Sequence, residues 1–169
     1  DKRMITYQYI KDQPLNNEGK ISFWLNNMIK EEGMKIGEVV YVFCKDDYLL
    51  EKNMQFLNCN TFTDVITFDY SDYGKAPKCG PILGDLYICP AVAEENAKDF
   101  GATFAQEITR YLIHGILHLR GYDDKNKASR KIMEQEENRL MNEALSFYLF
   151  LLLIERICGR ENLIGSSRR

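Results

Sequence analysis

Strand patterning in this chain stops at residue 90. Every run with two-residue apolar alternation or β-branched enrichment lies before Pro90, and every apolar repeat after it has helical spacing. Such an order, about four strands first and then mainly helices, is the signature of an α+β fold.

In the first part, Ile5-Thr6-Tyr7-Gln8-Tyr9 alternates as a strand, and Ile21, Trp24, Leu25, Met28 and Ile29 recur as a helix that ends near Gly33. The run Glu38 to Phe43 suits a central strand, and Asp46 or Asp47 is placed to cap a helix through Leu50, Met54 and Leu57. Asp64 to Phe68 reads as a third strand. Residues Tyr70 to Pro81, with Gly74, Pro77 and Gly80, read as a loop, and Gly84 to Ile88 as a fourth strand.

Beyond it, Pro90 suits the first turn of a helix ending at Gly101, and Thr103-x-x-Gln106 is a capping-box pattern. The helix that follows carries Phe104, Ile108, Tyr111, Leu112, Ile116 and Leu119 on one face and ends at Gly121. A last helix is expected over Ser129 to Leu145.

At 169 residues the chain has the size of one domain, with residues 1–3 read as an artificial leader ahead of Met4. The apolar segment 144–154 is too short to span a bilayer: eleven helical residues reach about 16 Å against a hydrocarbon core of about 30 Å. It reads as a packed terminal helix or an oligomer contact, and residues 165–169 as a disordered tail. The five cysteines are odd in number and contain no Cys-x-x-Cys, and no secretory signal opens the chain, so a cytosolic protein with reduced thiols is expected.

The net charge of −3 excludes a protein that grips nucleic acid by overall basicity. Charge is nonetheless uneven, with Arg110, Arg120, Lys125, Lys127, Arg130 and Lys131 clustered around the histidines. Arg110, Arg120, Lys125 and Lys127 are candidate nucleic-acid contacts; a solvated helix-loop-helix surface would look the same.

The only two histidines, His114 and His118, stand four residues apart, so one helix face presents both imidazoles. Two hydrogen-bonded core histidines would share that spacing. The continuation favours a metal instead: a chain bringing a third ligand to the same ion must turn sharply, and Gly121 stands where the turn is needed, three residues before Asp124. The spacing H-x-x-x-H-x-x-G-x-x-D repeats that of metzincin zinc sites with Asp124 in the third ligand's place. Gly115 occupies the position of the glutamate base in H-E-x-x-H enzymes, which disfavours a zinc peptidase. Two imidazoles and a carboxylate suit one divalent ion, Zn²⁺ first, with Mn²⁺, Fe²⁺, Co²⁺ or Ni²⁺ also compatible.

The run His114-Gly-Ile-Leu-His118-Leu-Arg-Gly121-Tyr122-Asp123-Asp124 closely resembles the H-G-x-L-H-L-x-G-Y-D-H signature of the YbeY endoribonucleases. Thr63 to Phe68 resembles the family's T-D-V-L-S-F strand, Gly84 to Cys89 its G-D-I-x-I-S segment, Glu95-Asn96-Ala97 its E-N-A segment, and Asn53 falls where the family has an asparagine. The likeness covers roughly Met4 to Leu145. It implies a small mixed sheet with flanking helices, a bound zinc, cleavage of single-stranded RNA, and a cytosolic role in maturing and checking small-subunit ribosomal RNA. It also implies the small ribosomal subunit and an Era-type GTPase as partners. Carried over by position, His114 and His118 are ligands and Asp124 replaces the usual third histidine. Leu57 stands where most of the family has an arginine.

The expected chemistry is polarisation of a phosphate oxygen or acidification of a water by the metal. Either a water or the RNA's own 2′-hydroxyl could be the nucleophile. Asp123 is a candidate base or else a turn-stabilising carboxylate, and Asp85 a cleft carboxylate or else a strand-end hydrogen-bonding group. Phe62, Phe68, Tyr70 and Tyr122 are candidates to stack bases or to fill the core. A non-catalytic, metal-stapled ribosome-assembly module is the competing reading.

Overall fold

The computed structural model describes residues 4–12, 14, 15, 18–58, 64–71 and 80–146. Its elements run β1 (Met4–Tyr9), α1 (Glu18–Glu31), β2 (Lys35–Phe43), α2 (Asp46–Leu57), β3 (Val65–Asp69), β4 (Pro81–Ile88), α3 (Pro90–Phe100), α4 (Phe104–Arg120) and α5 (Lys127–Ser146). The four strands form one sheet in the order β1-β2-β4-β3. β1, β2 and β4 are parallel, while β3 runs antiparallel to β4 and forms an edge. The sheet is therefore mixed, and the α+β expectation holds.

Alternation on β4 divides the two faces. Ile82, Gly84, Leu86 and Ile88 are buried, and they point to the side where α4 lies. A Cβ added at Gly115 would sit 2.8 Å from both Leu86 methyl carbons, so the helix approaches the sheet more closely than a side chain there would allow. The buried Tyr41 hydroxyl fixes the same contact by donating to the Leu112 carbonyl at 2.9 Å. Ile21, Leu25 and Ile29 of α1 and Met133, Leu140 and Ala144 of α5 complete this core. On the opposite face, Leu49 of α2 meets Ile66, Cys44 and Cys89 in a smaller cluster.

Several boundaries differ from expectation for local reasons. β4 begins at Pro81 rather than Gly84, because a proline is tolerated as the first residue of a strand. The N-cap of α2 is Lys45; Asp46 and Asp47 lie in the first turn, where their negative charge suits the helix dipole. The stripe Leu50, Met54, Leu57 is not the packed face of that helix. Leu49 and Asn53 are buried, while Met54 and Leu57 are exposed. α5 starts two residues before Ser129, because Asn126 accepts the Ser129 amide at 2.9 Å and caps the helix there. Residues 1–3, Phe62, residues 147–154 of the apolar segment and the tail 165–169 lie outside the described residues. Among those described, no helix is long and apolar enough to cross a membrane.

Candidate metal centre

The helix that presents the histidines is closed at both ends by its own sequence. Thr103 and Gln106 form the expected capping box, with bonds of 3.1 and 2.8 Å. At the other end Gly121 adopts φ 108°, the left-handed region a glycine enters without steric cost. Its amide donates to His118 O at 2.9 Å and the next amide, of Tyr122, donates to Leu117 O at 3.0 Å, a Schellman closure. This reversal carries Asp124 back over the helix.

Asp124 Oδ2 consequently lies 3.7 Å from His114 Nε2 and 3.7 Å from His118 Nε2, and the two ring nitrogens are 3.0 Å apart. The three side chains form a group whose ligand atoms all lie within 4.8 Å of one another. A tetrahedral ion held at bond lengths near 2.05 Å would set its donors about 3.3 Å apart, so the triangle has the right size for a first-row divalent cation.

Hydrogen bonding fixes which nitrogens face the centre. His114 Nδ1 contacts the Glu137 carboxylate and His118 Nδ1 contacts the Tyr122 carbonyl at 3.2 Å, so both Nδ1 atoms are donors. Two neutral rings in that tautomer aim their Nε2 lone pairs at each other. A cation between them removes the repulsion, and the donor set therefore fits a metal. Burial would lower the His114 pKa, but the hydrogen bond and charge of Glu137, with Asp64 and Asp124, outweigh it and the net shift is upward. Burial and the neighbouring His114 push His118 the other way.

Glu137 is a functional residue that no sequence motif marks. It is buried on α5, accepts from Arg110 Nη1 at 3.1 Å as well as from His114, and its pKa is lowered because these partners outweigh its burial. Its signal was a carboxylate on the apolar stripe of its helix, between Met133 and the Leu140, Met141, Ala144 group. The histidine–carboxylate pair is the arrangement by which metal-ligating imidazoles are oriented and made more basic.

The expected accessory residues separate. Lys125 and Leu57 line a cavity of about 390 Å³ that opens on His114, His118 and Asp124, with Val65 and Thr67 of the edge strand as its other wall. Arg110 lines a second cavity, beyond His114. Arg120 instead pairs with Glu32 at 2.5 Å and covers the Tyr122 ring, so it braces α4 against the end of α1. Lys127 is exposed in the first turn of α5 and lines neither cavity. Asp123 accepts the Lys125 amide at 2.9 Å, the turn-stabilising role. Asp85 lies on the α2 side of the sheet, where it accepts from Tyr70 at 2.9 Å, and is not brought to the metal group. Phe68 packs edge-on to Phe56 and Tyr87. Tyr70 is exposed, and Asn53 is buried in α2.

The family model described as Endoribonuclease YbeY matches residues 6–145. The chain belongs to the YbeY endoribonuclease family. Among YbeY relatives, "Endoribonuclease YbeY" of Flavobacterium johnsoniae is 39% identical over 135 residues, covering 80% of this chain and 93% of the relative. The protein of the same name from Flavobacterium psychrophilum is 42% identical over 135 residues, 80% of this chain and 92% of its own. A solution structure of a Thermotoga maritima protein superposes with a TM-score of 0.61 at 28% identity, covering 86% of this chain and 91% of that one.

Proposed function

We propose that this chain is a metal-dependent endoribonuclease that cuts single-stranded RNA during maturation and quality control of small-subunit ribosomal RNA. His114, His118 and Asp124 hold one divalent ion, zinc first among the candidates. The observation that carries the reading is the convergence of two Nε2 atoms and one carboxylate oxygen, each ring oriented from behind, in a chain whose relatives are named endoribonucleases. Held by these three residues, a divalent ion would supply polarisation of a phosphate oxygen and acidification of water near neutral pH.

The chain's own residues divide the remaining work. Glu137 and the Tyr122 carbonyl hold the imidazoles in the tautomer that leaves Nε2 free. Lys125, on the wall of the 390 Å³ cavity, supplies positive charge toward a phosphodiester there and stands in for the arginine replaced by Leu57. Gly115 faces Leu86 without space for a side chain, so the glutamate of peptidase sites has no counterpart. The small ribosomal subunit and an Era-type GTPase are the proposed partners, and the cytoplasm the proposed compartment.

The test is incubation of the zinc-loaded protein with matched single-stranded and duplex oligoribonucleotides, with and without a chelator, beside a casein digest. Internal cuts in the single strand alone, abolished by the chelator, are expected. Intact RNA, or digestion of casein, would overturn the assignment. End analysis for a 2′,3′-cyclic phosphate identifies the nucleophile.

A further inference from the structure

On the far side of His114 from Lys125 lies the larger cavity, about 540 Å³, within the range of about 300–1,000 Å³ typical of small-molecule sites. It is bounded by α3, α4 and α5 and shares His114, Asp124 and Asp64 with the smaller cavity, so the metal group stands where the two meet. A single strand lying across that group would place its neighbouring nucleotides in the two cavities.

The lining indicates which part of a nucleotide enters. Phe100, at the end of α3, is 75% exposed. Asn96 Nδ2 donates to the Tyr111 hydroxyl at 2.6 Å, and Tyr111 and Glu107 line the same cavity. Glu107 is buried with the charge of Arg110 acting on it, and it lies outside the metal group. Carboxylates outnumber cations: Asp64, Glu107, Asp124, Glu134 and Glu137 face the cavity against Arg110 and Arg130. Such a lining repels a phosphate and favours an uncharged, hydrogen-bond-donating group. An aromatic wall and a carboxyl at the base are the elements by which unstacked bases are held and their amino groups read.

We propose that this cavity is a nucleobase subsite in which Phe100 stacks on one base flanking the cut bond, while Glu107 and Asn96 select bases that carry an amino group. The inference rests on the endoribonuclease reading and adds a sequence preference to it. Uracil, which has no exocyclic amine, is the disfavoured occupant; adenine, cytosine and guanine each offer one. Phe100 and Glu107 are specificity residues, distinct from the ligands and from Lys125.

Two measurements test it on the zinc-loaded protein, wild type beside Phe100→Ala and Glu107→Gln. The first is cleavage of single-stranded oligoribonucleotides carrying each of the four bases at each position flanking the cut. The second is binding of AMP, CMP, GMP and UMP followed by NMR, with metal content and Tm checked for every variant. The wild type is expected to disfavour uracil at one flanking position by about tenfold, the size of one good base-edge contact. Phe100→Ala should weaken cleavage and nucleotide binding by about tenfold for every base. Glu107→Gln should flatten the preference while leaving metal content intact. Base-selective binding sensitive to both substitutions, without any RNA cleavage, would support the subsite and sink the nuclease. Cleavage indifferent to the flanking base, with nucleotide binding unaffected by either substitution, would overturn the subsite and leave the nuclease standing.

Discussion

Glu137 accepts a hydrogen bond from Nδ1 of His114 across the α4–α5 interface, so a residue 23 positions downstream sets the orientation of the first histidine of the proposed metal group. Outer-shell partners of this kind typically control metal affinity by about 10- to 100-fold. Glu137→Ala is expected to weaken zinc binding by about that factor, and Glu137→Gln, which keeps an acceptor oxygen, by less. Competition with a chromophoric chelator measures both; equal affinities for the two variants and the wild type would show that His114 needs no such partner.

Gly115 tests the packing beneath the site. An alanine Cβ there meets the two Leu86 methyl groups at 2.8 Å, and Leu86 is fully buried. Overpacking of this kind costs about 1–3 kcal/mol, partly offset by the roughly 1 kcal/mol that alanine gains over glycine in a helix. Gly115→Ala should therefore lose up to about 2 kcal/mol in urea unfolding. A stabilised variant would mean that α4 is less tightly apposed to β4 than described.

The positions of Leu57 and Lys125 on one cavity wall predict a rescue. Lys125→Ala should lower kcat/KM for single-stranded RNA by about 10- to 100-fold, since cations aimed at developing charge contribute on that scale. Leu57→Arg in the same background should restore part of the loss. Full activity in Lys125→Ala would assign the electrostatic role elsewhere.

Acid stability should depend on Glu32. It accepts from Arg139 at 2.9 Å and from Arg120 at 2.5 Å, and hydrogen bonding from Arg139, then from Arg120, lowers its pKa against the opposing effect of burial. A carboxylate with a depressed folded-state pKa contributes its full stability above the ordinary value of 4.5 and loses it as pH falls through the lowered value. Glu32→Gln should reduce Tm at pH 7 and narrow the gap to wild type below pH 4.5. An unchanged gap across that window would remove Glu32 from the account.

These features differ in how far the sequence displays them. His114, His118, Gly121 and Asp124 are legible because helix periodicity and a glycine turn bring together residues within eleven positions of one another. Glu137 is not, since its meaning depends on which helix packs across from α4. The cations were legible as a cluster and not as individuals: Arg120 brings its charge to Glu32, Arg110 to Glu137, and Lys125 alone of the four lines the cavity that holds both histidines. The strands and the mixed sheet followed from pattern and resemblance. The packed face of α2 did not, because its buried positions are Leu49 and Asn53 rather than its most apolar stripe.

The most direct measurement is metal stoichiometry and single-strand RNA cleavage on the same samples of wild type, His118→Ala and Asp124→Ala, each with its Tm. One equivalent of metal and internal cleavage are predicted for the wild type, with both lost together in the two variants. Cleavage that survives in Asp124→Ala at undiminished rate, or a wild type that cuts RNA without metal, would contradict the claim that these three side chains hold the ion on which the chemistry depends.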